Sequence, residues 1–306
     1  MTNSTNVTNA TNEAVATASH RTAVLGLGPM GVALAAALLG AGADVAVWNR
    51  TPKELDVLGL GDARAAQTPS DAAAAADVVV VCVRDHAVGR DVIAALADEL
   101  PPDAVVVHAS TGTPQDAAES ATRARELGVR YVTAAIMVPT PLIGTPENTV
   151  LYAGDPEDVA RARPILEMLG GTVDVVGDDH RVPPALDLAM LDVFFAGMYA
   201  YLHATALAEA NGIDAERFLP YGETITRTLG HSLAGLAANA TARGYDTGQA
   251  RLDMCTAFLD KIVAASSEAG VDAAHAAVVR DASWAALRHR AAGTDWDVVF
   301  EDLRPR

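Results

Sequence analysis

Hydrophobic and polar positions along this chain follow one rhythm up to about residue 177 and another beyond the Pro183-Pro184 pair. In the first part, short apolar runs alternate with amphipathic stretches, which predicts strands alternating with helices. The runs at 23–25, 44–48, 77–83, 104–109 and 129–134 suit buried parallel strands. Helices are expected over 30–39, 52–58, 69–75, 87–99 and 114–127, with a short strand at 63–66. Two further strands, 148–154 and 172–177, bracket a helix over 156–169. Such alternation predicts an α/β fold with a doubly wound, mainly parallel sheet. In the second part only helical periodicity remains: an apolar run over 185–211, then 215–229, 232–242, 247–269 and 271–291. No strand pattern follows Gly177.

Ligands of doubly wound sheets lie at the carboxyl ends of the strands, and the first of these ends is Gly26-Leu27-Gly28-Pro29-Met30-Gly31. In this G-x-G-x-x-G spacing Gly26 permits the tight turn and Gly28 a close approach to a pyrophosphate. Gly31 lets the next helix pack onto the strand, and the helix N-terminus faces the anion. A lone match is weak, but this one lies between two strands. The second strand ends in Asn49-Arg50-Thr51, with Lys53 just beyond. An NAD site carries an acid there for the ribose hydroxyl, whereas a base accommodates a 2′-phosphate. The expected cofactor is therefore NADPH. Cys82 and Val83, at another strand end, and Ser110 and Thr111, ahead of the helix at Pro114, are expected on the same side. For Ser110 and Thr111 helix capping is the plainer alternative.

Composition narrows the classes. The chain has 306 residues, enough for two domains, and half of them are hydrophobic. Its formal charge of −17 argues against nucleic acid or an anionic membrane as partner, so a bound phosphate needs a local cluster such as Arg50 and Lys53. Cys82 and Cys255 read as two buried thiols of a reducing, cytoplasmic compartment. No metal-ligand spacing is present. Residues 1–19 are polar, lack the apolar stretch of a signal peptide and read as a disordered tail. The apolar region 23–47 is long enough to mimic a membrane span, but its Gly and Pro residues and Asp44 argue for strand, turn, helix and strand. The expected domains are a Rossmann-type NADP-binding domain over 20–180 and an all-α dimerisation and substrate domain over 181–306, joined by a long interdomain helix.

A helix that is apolar nearly all round must be buried. The stretch Leu186–Leu207 is such a helix, too large for a small helical domain to cover alone, and it predicts an intertwined homodimer. Asp187 lies at its head among Leu186, Leu188, Met190 and Leu191; Met190, Leu191, Phe194 and Met198 share its face. Burial there should raise its pKa, so that it can exchange a proton near neutral pH. The alternative is an acid stabilised by the helix dipole. Asp192, on another face, is expected to meet a base across a helix interface.

The glycine loop with Val47-Trp48-Asn49-Arg50-Thr51 resembles the superfamily of 6-phosphogluconate dehydrogenase and the β-hydroxyacid dehydrogenases, and more closely the imine reductases. Further similar segments are Ser110-Thr111-Gly112-Thr113-Pro114, Ala134-Ala135-Ile136-Met137, Pro141-Leu142-Ile143-Gly144, Ala185–Leu191 and the closing stretch 296–304. The resemblance implies a catalytic Asp187 where hydroxyacid dehydrogenases have Lys. The only lysines are Lys53 and Lys261, and neither can stand at the head of that helix. An anion there suits a C=N acceptor, whose reduction passes through an iminium cation. Met137, Met190, Leu191 and Phe194 would line a pocket for a small hydrophobic imine, or for a ketone and an amine. Three alternatives remain: a reductive aminase of the same family, a β-hydroxyacid dehydrogenase-like oxidoreductase, and an NADPH-sensing protein without chemistry.

Overall fold

The computed structural model of the protein describes residues 20–305. The expected tail over 1–19 lies outside the described residues. Two compact units divide between Leu191 and Asp192, inside one long helix.

The first unit holds β1 (Arg21–Leu25), α1 (Pro29–Gly40), β2 (Asp44–Trp48), β3 (Arg64–Ala65), α2 (Pro69–Ala73), β4 (Val78–Val81), α3 (His86–Leu96), β5 (Val105–His108) and α4 (Pro114–Glu126). It continues with β6 (Arg130–Ile136), β7 (Thr149–Gly154), α5 (Pro156–Glu167) and β8 (Thr172–Val175). The eight strands form one sheet in the order β3-β2-β1-β4-β5-β6-β7-β8, parallel except for β6 against β7. β4 is four valines and β5 is Val-Val-Val-His, all buried, as strands covered on both faces must be. Alternate residues feed two cores. Val24, Val47, Val80 and Val107 pack with Leu34 and Leu38 of α1 and Ile165 of α5 on one face, while Leu25, Val79, Val81 and Val106 pack with α2, α3 and α4 on the other. β1 stands between β2 and β4, the point where the winding reverses, so the carboxyl ends of β1 and β4 open a crevice.

Helix starts follow local chemistry. Thr68, Asp85 and Asp155 cap α2, α3 and α5, and Thr113 with Asp116 forms a reciprocal capping box on α4. The helix expected over 52–58 is absent. Leu58 N–H reaches the Glu54 and Leu55 carbonyls in one turn, which Gly59 at φ +70° then closes.

The long helix α6 (Val182–Ala210) begins earlier than expected, with Pro183 and Pro184 in its first turn, where a missing N–H costs nothing. The second unit contains its later part, then α7 (Ala215–Ala242), α8 (Leu252–Glu268) and α9 (Ala274–Leu287). A 3-10 turn at Trp296–Val299 then leads into α10 (Phe300–Leu303). α7 is one helix where two were expected; Gly230 is accommodated at about the 1 kcal/mol that a mid-helix glycine costs. α8 starts later than expected because Thr247, Gly248 and Ala250 donate their backbone N–H groups to the buried carboxylate of Asp295 instead. α9 is shorter at both ends, and an isolated bridge joins Arg251 to Asp295. Cys82 and Cys255 are free and only partly buried, a correction to the expectation of two buried thiols. Asp192 is exposed and has no ion pair among the described residues.

Candidate active site

The crevice at β1 and β4 begins at the glycine loop. Gly26 has φ +106°, and a Cβ there would run into the Cys82 carbonyl; one on Gly31 would run into the Gly26 carbonyl. Both positions therefore exclude any side chain. Gly28 faces open space and is the N-cap of α1, with Pro29 at the first helical position and no acid in the first turn. The free N–H groups of that turn suit an anion. Asn49 ties the neighbouring loops together: its Oδ1 accepts the Leu27 N–H at 2.9 Å, and its Nδ2 donates to the Thr51 carbonyl at 2.7 Å.

A cavity of about 410 Å³ lies along this loop, lined by Gly26, Gly28, Pro29, Met30 and Gly31, by Trp48 through Thr51, and by Cys82, Val83, Arg84, Val88 and Val92. Its lining carries two arginines, Arg50 and Arg84, and no carboxylate. That is notable in a chain of net charge −17. Open space over Gly28, free helix N–H groups and a base past β2 fit a dinucleotide with a 2′-phosphate. Leu27 is buried beneath the loop, and Lys53 is exposed outside the lining.

A second cavity, of about 190 Å³, shares Met30, Cys82, Val83 and Arg84 with the first. It is completed by Ala109, Ser110, Thr111, Ala134, Ala135, Ile136 and Asp187. Asp187 is only 5% exposed and is the one acid in this lining. Burial raises its pKa, because a desolvated carboxylate is disfavoured against the neutral acid. Ser110 Oγ accepts the Val83 N–H at 3.1 Å, joining the ends of β4 and β5. Burial also pushes the Cys82 thiol up to about 11, so it stays protonated at neutral pH.

Met137, Met190, Leu191 and Phe194 line neither cavity. Met137 donates its N–H to the Thr149 carbonyl, and Phe194 is exposed. Arg84 is the residue that the sequence reading passed over. Its Nε donates to Asp85 Oδ2 at 2.8 Å, while Asp85 Oδ1 accepts the Val88 N–H that caps α3. Its position just past β4, at a strand end of a doubly wound sheet, was the available signal.

Residues 21–177 match the family described as the NAD binding domain of 6-phosphogluconate dehydrogenase, and residues 179–305 match the NADPH-dependent reductive aminase-like C-terminal domain. The NADPH-dependent reductive aminase of Aspergillus oryzae is 29% identical over 255 residues, covering 82% of this chain and 85% of that protein. A Streptomyces aurantiacus imine reductase is 30% identical and superposes with a TM-score of 0.86 over 93% of this chain and 99% of its own. The reductive aminase from Aspergillus terreus, solved in complex with NADPH4, cyclohexanone and allyl amine, is 29% identical, with a TM-score of 0.85 over 94% and 100% of the two chains. A dinucleotide cradle closed by Arg50, an acid at the head of the long helix and these likenesses along nearly the whole chain converge: the protein belongs to the imine reductase family of 6-phosphogluconate dehydrogenase-like proteins.

Proposed function

We propose that this protein reduces imines to amines with NADPH, and that Asp187 is the residue that serves the imine nitrogen. The observation that carries this reading is a single buried acid, of raised pKa, in a cavity contiguous with the dinucleotide cradle. When bound, the cofactor supplies hydride from C4 of its nicotinamide. Arg50 holds the 2′-phosphate and the first turn of α1 holds the pyrophosphate. Asn49 keeps the two loops in register, and Ser110 and Thr111 form the nicotinamide-side wall. In its acid form Asp187 donates a proton to the imine nitrogen; as the anion it stabilises the iminium cation. Met137, Met190, Leu191 and Phe194 are assigned to the apolar side of the substrate pocket, which the complete assembly closes.

The test is NADPH consumption with a small cyclic imine, beside a ketone and amine supplied together and a β-hydroxyacid with NADP+ in the reverse direction. Turnover of the preformed imine is expected. Turnover of the hydroxyacid alone would sink the reading. Activity with ketone plus amine as efficient as with the imine would move the protein to the reductive aminases, a reading favoured by the match over 179–305.

The working unit in this proposal is a cytoplasmic homodimer, with residues 20–180 as the NADP-binding domain and 181–306 as the dimerisation and substrate domain. Its support is α6. Among the described residues this is the one helix long and apolar enough to cross a membrane, yet in the single chain Val193 is 64%, Phe195 61% and Leu202 63% exposed. Its Tyr201 and, on α7, Phe218, Gly222, Ile225 and Leu229 line an apolar groove of about 500 Å³. Leaving so large an apolar surface in water is costly, and a second copy of the chain covers it at once. Light scattering on a dilution series is expected to give the dimer mass throughout; a folded monomer would contradict the shared helix.

A further inference from the structure

The two cavities meet at a neck, and one charged side chain stands in it. Met30, Cys82, Val83 and Arg84 line both spaces, so a dinucleotide with its adenosine beside Arg50 and its nicotinamide beside Asp187 must thread between them. Of these four residues only Arg84 carries a charge. Its place is set by the sheet. Cys82 N–H donates to the Leu25 carbonyl at 2.9 Å and Gly26 N–H donates to the Trp48 carbonyl at 2.8 Å, which laces the ends of β1, β2 and β4 together. A Cβ on Gly26 would stand 3.1 Å from Val83 Cγ1. The end of β4 is therefore pressed against the glycine loop, and Arg84 follows at its rim.

Arg84 is also anchored. Its Nε donates to Asp85 Oδ2 at 2.8 Å, and Asp85 is itself fixed as the N-cap of α3, its Oδ1 accepting the Val88 N–H at 2.9 Å. The Val88 N–H first, then the Arg84 guanidinium, hold the Asp85 carboxyl below the usual range, so the anchor stays charged at neutral pH. Only the Nε edge of the guanidinium is used in this way. Among the described residues neither Nη hydrogen-bonds to protein, and the side chain is 79% exposed, so both are free to meet a ligand.

The part of a dinucleotide between its adenosine and its nicotinamide ribose is the doubly charged pyrophosphate. The first turn of α1 opposes it with free N–H groups and the equivalent of about half a positive charge. Most of the negative charge is left unbalanced, in a chain that already carries −17. We infer that Arg84 is the counter-ion of the cofactor's pyrophosphate, meeting it from the β4 side of the neck while the N-terminus of α1 meets it from the β1 side. The guanidinium fork pairs with phosphate oxygens at two points and brings a full charge, which backbone N–H groups do not. This rests on the NADPH-binding reading of the crevice and is independent of the imine chemistry. The two bases of the larger cavity then differ in role: Arg50 selects NADPH over NADH, and Arg84 grips the part common to both.

The test is equilibrium binding, read without turnover. Dissociation constants for NADPH and NADH come from the fluorescence of the bound reduced nicotinamide. Two fragments are titrated as competitors: adenosine 5′-diphosphate, which has the pyrophosphate and no 2′-phosphate, and adenosine 2′-monophosphate, which has the reverse. Arg84→Ala is expected to weaken NADPH, NADH and the diphosphate alike by about tenfold, as for a charge-assisted hydrogen bond at an exposed site, and to leave the 2′-monophosphate within about twofold. Arg84→Lys keeps the charge without the fork and is expected to recover part of the loss. Arg50→Ala is expected to give the crossed pattern, and the two losses on NADPH should multiply in the double variant because different phosphates are held. Unchanged NADH and diphosphate binding in the Arg84→Ala protein would overturn the inference. So would a loss confined to NADPH and the 2′-monophosphate, which would move Arg84 to the 2′-phosphate, or a loss on both dinucleotides with none on the diphosphate, which would move it to the nicotinamide ribose. A wild-type protein that binds neither dinucleotide would overturn the cofactor reading together with this one, whereas a wild type that binds both and reduces no imine would count against the imine chemistry alone.

Discussion

Asp187→Asn is expected to lower kcat/KM for a cyclic imine by about 10²- to 10⁴-fold, the usual contribution of a positioned general acid, while NADPH binding persists. Asn matches the carboxyl in shape but can neither give a proton to nitrogen nor carry the charge that steadies an iminium. The wild-type pH profile follows from the same burial. Because desolvation raises the Asp187 pKa, its acid form survives to higher pH than an exposed aspartate, and kcat/KM is expected to fall as pH rises through that raised value. Stability follows the same sign. Between the ordinary aspartate pKa and the raised one, the folded protein binds more protons than the unfolded chain, so the contribution of this group is present at low pH and declines as pH rises. Urea unfolding at several pH values should show that slope in the wild type and its loss in the Asn variant. Unchanged turnover in a folded Asp187→Asn protein would remove the acid from the mechanism.

Arg50→Ala is expected to raise KM for NADPH by about 10- to 100-fold, the worth of a hydrogen bond to a charged group, and to leave KM for NADH nearly unchanged. The cradle around Gly28 is common to both cofactors, so only the interaction with the 2′-phosphate is lost. Steady-state kinetics with both cofactors measure the ratio directly. Equal losses with NADPH and NADH would show that Arg50 holds a part that the two share. Arg84 is the base to examine next, since its ion pair with Asp85 leaves the outer guanidinium nitrogens free at the same cavity.

Legibility differed along the chain for physical reasons. β2 was readable to the residue because Asp44 and Asn49 bracket an apolar run, and α1 to within one residue at each end because Pro29 and Gly40 punctuate it. The segment 52–58 misled because its composition suits a helix, whereas the chain closes in a single turn at Gly59. α7 misled in the opposite way: Gly230-His231 resembles a break, but helix on both sides outweighs one glycine. The start of α8 was hidden in a contact almost 50 residues away in sequence, the Asp295 carboxylate that claims the N–H groups of Thr247 to Ala250.

What the sequence by itself determined is local: the alternation that makes a doubly wound sheet, the glycine spacing that makes a phosphate cradle, and the acid, rather than lysine, near the head of the long helix. These are legible because period, backbone permissiveness and charge belong to neighbouring residues. Only the tertiary structure decided which strand ends meet, that Arg84 joins both cavities, that Asn49 clasps Leu27 across 22 positions, and that the rings of His86 and His108 meet. Those facts depend on strand order and close packing, and residues far apart in the chain acquire a common environment only once the sheet has formed.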